Sequence, residues 1–356
     1  MSYRERAEIF CRRFGLARPV LLAPMAGACP PRLSIAVADA GGLGACGALL
    51  MAPHEIAQWA GVVRTQTDGG FQINLWIPGP SPKRDPAHES RVREFLGGWG
   101  PEVPADTGEK APPDFHEQSE ALIAARPAAA SSIMGLFPAR YVRRLKHQGI
   151  AWFAVATTVG DALAAEAAGA DVIVAQGMEA GGHRGAFDPA RAERELVGLV
   201  SLVPAIVDAV KVPVVATGGI ADGRGVAAAF ALGASAVQIG TAFLRCPEAD
   251  IPRAWTDALG RTRPEETVVS RVFSGKPGRS IATAYVKAAT SAEAPPPAPY
   301  PVQRALTAPM RKAAAAAGDV ERMQAWAGQS AALGRAMPAG ELVEQLWSDA
   351  QVLLQA

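Results

Sequence analysis

The stretch Asp171-Val172-Ile173-Val174-Ala175-Gln176-Gly177-Met178-Glu179-Ala180-Gly181-Gly182-His183-Arg184-Gly185 joins a short, wholly apolar run to a glycine-rich loop carrying one histidine. The run has the length and β-branched content of a strand, and its lack of polar alternation fits a parallel strand covered on both faces. His183 is therefore expected at a strand's carboxyl end, the rim where α/β sheets gather ligands and catalytic groups.

Seven similar runs lie along the chain. The eight strands are expected near residues 20–23, 43–47, 71–77, 132–136, 152–156, 172–176, 214–217 and 237–240. Alanine-rich helical periodicity fills intervals at 31–40, 53–66, 139–148, 160–168, 199–209 and 223–232. Strand and helix alternate, which predicts an α/β fold of the closed (β/α)8 kind, a TIM barrel. Two passages break the rhythm. Residues 78–113 hold eight prolines among glycines and charges and read as an insertion after the third strand. Leaving from a carboxyl end, this insertion is read either as a cover over the active-site mouth or as a mobile surface loop with no role. A proline-rich bend at 295–301 then leads into a segment whose Ala, Leu, Trp and Met spacing predicts packed helices. The expected organisation is a barrel over 1–294, interrupted by 78–113, and a C-terminal helical subdomain over 295–356.

Composition narrows the function class. In 356 residues, 35 basic side chains nearly balance 34 acidic ones, which argues against a nucleic-acid footprint or a membrane-surface patch. The alanine-rich stretches are broken by Gly, Pro or charge before reaching the ~18 apolar residues that a membrane span needs. The opening Met1-Ser2-Tyr3-Arg4-Glu5 carries charge and no apolar core, so no secretion signal is expected and the cytoplasm is the expected location. Cys11, Cys29, Cys46 and Cys246 lack C-x-x-C spacing and are expected to be reduced. No metal site is expected.

Ala23-Pro24-Met25-Ala26-Gly27 ends the first strand with a fixed turn and small side chains, so a flat ligand can approach the backbone; Met25 equally suits core packing. Gln72 and Asn74 share one face of the third strand. An inward amide must find a partner, so Asn74 is either a satisfied core group or a hydrogen-bonding group for a heterocycle or phosphate. Thr217-Gly218-Gly219-Ile220 and Gln238-Ile239-Gly240-Thr241 end strands seven and eight. Amides freed by glycine beside a helix start near Asp222 make an anion site without a lysine, at the corner where barrel enzymes often hold a phosphate. His183, framed by Gly181, Gly182 and Gly185, is expected to be loosely packed, free to meet a substrate and able to titrate near neutrality. Glu179 either braces this loop or contacts a cofactor. The chain reads as an enzyme.

Together these segments resemble the nitronate monooxygenase family, flavin enzymes on a (β/α)8 barrel. The likeness covers most of the chain and includes Gly41-Gly42-Leu43-Gly44, Ser274-Gly275-Lys276-Pro277-Gly278-Arg279 and the tail from Tyr300. It implies non-covalent FMN, with the phosphate at Gly219, Gly240 and Thr241 and the ring system near Pro24 and Met25, reached by Asn74 and Gln176. Ala23, Gly181, Gly182, Thr217, Gly218 and Gln238 complete the implied cofactor-binding set, and His183 matches the family's active-site histidine. It implies as partners an alkyl nitronate such as propionate 3-nitronate and O2, converted to a carbonyl compound and nitrite, with no nucleic acid and no membrane; it allows a homodimer. The same loop and turns also resemble flavin-dependent enoyl-acyl carrier protein reductases, and an NAD(P)H:acceptor flavin oxidoreductase would use the same barrel. The tail resembles the monooxygenase branch more closely. An inosine-monophosphate-dehydrogenase-like reading would need a cysteine between 177 and 185, where there is none. A flavin-binding scaffold without turnover is the reading outside enzymology.

Overall fold

A computed structural model of the chain describes residues 1–108 and 112–355, so 109–111 of the insertion and the last residue of the tail lie outside the described residues. The described strands are β1 (Val20–Leu22), β2 (Gly44–Gly47), β3 (Phe71–Trp76), β4 (Ala129–Ile133), β5 (Ala151–Ala156), β6 (Val172–Gln176), β7 (Gly182–His183), β8 (Val214–Thr217), β9 (Ala236–Ile239), β10 (Thr267–Ser270) and β11 (Gly278–Ile281). Eight of them form one sheet in the order β1-β9-β8-β6-β5-β4-β3-β2, and its paired neighbours are parallel. Leu22 N–H donates to Leu43 O at 2.9 Å and Leu43 N–H to Val20 O at 3.1 Å, bridging β1 to the start of β2 and closing the barrel. The three remaining strands make a small antiparallel sheet, β10-β11-β7.

The fourth strand corrects the sequence expectation. It occupies Ala129–Ile133, three residues ahead of 132–136. Met134 and Gly135 turn to φ 66° and 144°, where a strand cannot continue, and the ladder pairs Gln72 with Ala129 through Trp76 with Ile133. The alanines of β4 have weak strand preference and hid it; tertiary pairing decided the register.

Alternate strand positions face opposite ways. Leu21, Phe153, Val155, Val172, Val174 and Val215 share an interior cluster, while Leu22, Ile73, Ala154, Ile173 and Val237 pack with the outer helices. These helices include α2 (Pro31–Asp39), α3 (Pro53–Gln66), α5 (Phe115–Ala125), α6 (Ala139–His147), α7 (Val159–Ala167), α8 (Leu199–Ala209) and α9 (Gly223–Ala231); α4 (Pro86–Gly97) lies in the insertion and α1 (Tyr3–Phe14) precedes the barrel. Helix α1 starts with a reciprocal cap, Glu5 N–H to Ser2 Oγ at 3.3 Å and Ser2 N–H to Glu5 Oε2 at 2.7 Å. Its Phe14 packs 5.0 Å from Phe153, and Arg13 binds Asp171 just ahead of β6. It therefore plugs the end of the barrel where the strands begin, leaving their carboxyl ends for a site.

The insertion is not a bare loop. Asp85 caps α4 by accepting from His88 N–H at 3.0 Å, and Pro86 sits in the first turn, where its missing N–H costs nothing. Val92 and Leu96 join Phe273, Tyr285, Val302, Leu306 and Met310 in a second core. That core draws on α11 (Ala284–Ala289), α12 (Val302–Leu306) and α13 (Ala308–Ala317), after the short α10 (Arg253–Leu259). The last helix, α14 (Ala339–Gln355), returns to the barrel and packs on α9 and α2.

Candidate active site

The carboxyl ends of β1, β3, β6, β8 and β9 open into a cavity of about 390 Å³, within the usual range for small-molecule sites. Ala23, Pro24, Met25, Asn74, Gln176, Gly181, Gly182, His183, Thr217, Gly218, Gly219, Gln238, Gly240 and Thr241 all line it. Segments up to 218 residues apart in sequence, Ala23 to Thr241, thus meet in one space.

At the glycine corner, Gly218 and Gly219 adopt φ 112° and 69°, a region that disfavours side chains. A Cβ on Gly181 would lie 2.5 Å from the Gly328 nitrogen. Behind these glycines α9 begins at Asp222, which caps it through Gly225 N–H at 3.2 Å. A wall that the sequence did not reveal comes from the tail: Gly328 N–H donates to Thr241 Oγ1 at 3.0 Å, and Ser330 Oγ–H donates to Gly219 O at 2.6 Å.

The barrel's inward amides divide by use. Gln72 Nε2 donates to Leu22 O at 3.1 Å and to Gln238 Oε1 at 2.9 Å, a core crosslink below the cavity. Asn74 Nδ2 donates to Ser131 O at 3.2 Å and Oγ at 3.0 Å, leaving Oδ1 without a partner among the described residues. Gln176 spends both ends on the histidine segment, donating to His183 O at 3.1 Å and accepting from Gly185 N–H at 2.7 Å. Glu179 is a brace: its carboxylate accepts from Leu199 N–H at 2.9 and 3.1 Å and so caps α8, whose preceding Gly198 has no side chain to do so.

His183 departs from its expected surroundings. It lies in β7 and pairs with Gly278 of β11, not in a free loop. Its ring is wedged between Trp76 and Trp326, with centroids 4.7 and 4.8 Å away, and its Nε2 is 2.7 Å from Ser274 Oγ. The flanking glycines do not leave the ring loose: two indoles close on it, and it is Gly278, the partner of His183 across the strand pair, that is small enough to admit Trp326, 3.0 Å from where its Cβ would be. Burial, with the nearby Arg304 and Lys276 cations, pushes the imidazole down to about 3, so titration near neutrality is also corrected.

Cations from the tail complete the site. Arg304 and Arg311 line the cavity. Arg311 donates to Thr307 Oγ1 at 3.1 Å, Gln324 Oε1 at 3.0 Å and Arg304 O at 2.9 Å, and burial pulls it down to about 10. Neither guanidinium has a carboxylate partner among the described residues. Half-buried cations with no counter-charge among the described residues make the cavity attractive to an anion. The sequence signal for them was faint, two arginines in an alanine-rich tail, on two different helices.

Comparison with known proteins gives a consistent picture. A family model described as nitronate monooxygenase matches residues 10–349. The chain is 38% identical over 343 residues to a nitronate monooxygenase of Pseudomonas aeruginosa, covering 95% of this chain and 97% of that protein. Its structure is similar to that of a nitroalkane oxidase from Streptomyces ansochromogenes, with TM-score 0.85 and 35% identity over 95% of this chain and 96% of the other. It is also similar to FabK from Thermotoga maritima, with TM-score 0.77 and 29% identity over 98% and 97%.

Proposed function

The chain belongs to the nitronate monooxygenase family, and from that premise we propose that it uses FMN to oxidise an alkyl nitronate with O2 to a carbonyl compound and nitrite. It is a flavin-dependent oxidoreductase acting on nitronates. Residues 1–294 would be the cofactor barrel and 295–356 an extension helping to wall its cavity.

The residues present suit FMN. A glycine-lined corner at a helix start, closed to any side chain at Gly181, is a cradle for a phosphate held by Gly218, Gly219, Gly240 and Thr241. Gln324 Nε2, a buried donor with no partner among the described residues, lies in the cavity wall, as expected where a ligand is to supply the acceptor. Ala23, Pro24 and Met25 would back the ring system, Asn74 would meet it through Oδ1, and Gln176, Gly182, Thr217 and Gln238 would complete its walls. FMN, when bound, supplies the two-electron oxidation and the reaction with O2.

The protein's share is binding and proton control. A neutral imidazole can hydrogen-bond a nitronate, or take the carbon-bound proton of a neutral nitroalkane. Arg304, Arg311 and Lys276 would draw in an anion, and a substrate such as propionate 3-nitronate offers two negative ends. The observation that carries the reading is the meeting, in one cavity, of His183, two arginines with no carboxylate partner among the described residues, and the glycine corner.

The test is to release and identify the flavin of the purified protein, then add propionate 3-nitronate aerobically. Oxygen uptake with stoichiometric nitrite is expected. A protein that takes up no FMN, or that holds FMN and leaves the nitronate untouched, would overturn the reading.

A further inference from the structure

We propose that Ser274 sets the tautomer of His183, keeping the proton on Nε2 so that Nδ1 carries the lone pair offered to the reacting molecule. Ser274 is fully buried and does not line the cavity, so it acts through the histidine as a positioning residue. That His183 meets the substrate rests on the function proposed above; the tautomer does not.

The argument is a count of hydrogens. A serine hydroxyl has one hydrogen and two lone pairs. Lys276 N–H donates to Ser274 Oγ at 3.2 Å, which fills one lone pair, and the hydroxyl donates to Lys276 O at 3.2 Å, which uses the hydrogen. One lone pair remains, and the atom facing it at 2.7 Å is His183 Nε2. With that hydrogen on Lys276 O, Nε2 is the donor, and Nδ1, which has no protein partner among the described residues, is left unprotonated. The opposite tautomer would require the hydroxyl to abandon Lys276 O and would put an N–H on Nδ1, where it could not accept a proton.

The serine is held so that it cannot easily adopt the other arrangement. Ser274 N–H donates to Arg271 O at 3.2 Å. The adjoining carbonyls are also taken: Val272 O accepts from Tyr285 Oη–H at 3.1 Å and Gln303 Nε2 at 2.8 Å, and Phe273 O accepts from Thr307 Oγ1–H at 2.7 Å. The turn is therefore pinned by α11 and α12. Moreover, when Nδ1 gains a proton, Nε2 is a donor as before, so the serine keeps its bonds and no rearrangement accompanies the transfer.

The tautomer can be read directly. In protein labelled with ¹⁵N-histidine, long-range ¹H–¹⁵N spectra near neutral pH report which ring nitrogen is protonated, and His183→Asn identifies the signals. A protonated Nε2 and a bare Nδ1 are expected in the unaltered protein, with the two forms mixed in Ser274→Ala. A proton on Nδ1, or an unchanged single tautomer in Ser274→Ala, would overturn the proposal whether or not the protein oxidises nitronates. With a nitronate as substrate, Ser274→Ala should lower kcat about tenfold or more, as expected when a catalytic imidazole loses its correct tautomer. Flavin content should be unchanged, and Ser274→Thr, which keeps the hydroxyl, should restore kcat. Failure of the nitronate assay alongside the expected tautomer would sink the proposed function alone.

Discussion

His183 carries two predictions with opposite kinds of readout. Its folded value of about 3 lies below the ordinary 6.5, so the unfolded chain takes up the proton first. The stability contributed by the uncharged ring is complete above about pH 6.5 and is lost as pH falls from there towards 3. Thermal unfolding followed against pH should therefore show a steeper acid-side fall in the unaltered protein than in His183→Asn, whereas equal slopes would mean that the ring is not held neutral. By the same sign, kcat/KM for a nitronate should show no histidine inflection between about pH 6 and 8, because the imidazole is already a free base there. The second residue is Gly181, whose added Cβ would strike the Gly328 nitrogen. Gly181→Ala should displace the tail segment and weaken FMN retention at least tenfold, measured by flavin fluorescence on dilution, while circular dichroism stays that of the folded barrel. Retention equal to that of the unaltered protein would remove the cradle from the argument. At this scale the sequence was informative, because glycines and a lone histidine at strand ends stand out against an apolar background. It could not show the packing around them, since Trp76, Ser274 and Trp326 reach the ring from three distant segments.

Elements were legible in proportion to their length and local signal. The parallel barrel strands announce themselves as apolar runs, and the alternating helices by periodicity. Strand β4 was displaced because alanines carry little strand preference, and α4 was hidden among prolines, one of which starts it. Strands β7 and β11 have no run to recognise: β7 is two residues long and exists because β11 is there to pair with it. These two short strands nevertheless orient His183, and α12 supports them through the turn at 271–277. Thr307, fully buried, makes that support specific, since its hydroxyl satisfies Phe273 O. Thr307→Val keeps the shape and removes the donor, so a buried carbonyl is left unpaired at a cost of about 1–3 kcal/mol. The expected result is a lower unfolding midpoint in urea, together with a fall in kcat larger than the change in flavin content. A midpoint within error of the unaltered protein would show that the turn does not depend on α12.

For the molecule as a whole, the second core places binding and tail docking in one equilibrium. Leu306 is buried among Val92, Phe273 and Tyr285 and does not line the cavity, yet the same tail supplies Trp326, Gly328 and Ser330 to its wall. A ligand that binds only the docked form stabilises docking, and weakened docking must weaken the ligand in return. Leu306→Ala should cost about 2–5 kcal/mol locally and raise the Kd for FMN severalfold, although residue 306 lies outside the cavity. Phe10→Leu is the control: it loosens the plug at the opposite end of the barrel, where Phe10 packs 4.7 Å from Phe14. It should lower the unfolding temperature without changing the Kd, when FMN binding is followed by fluorescence quenching at a temperature where both variants are folded. Equal losses of affinity in the two variants would mean that FMN senses global stability and not the docking of the tail. An unchanged Kd in Leu306→Ala would mean that residues 326–330 keep their place without the second core.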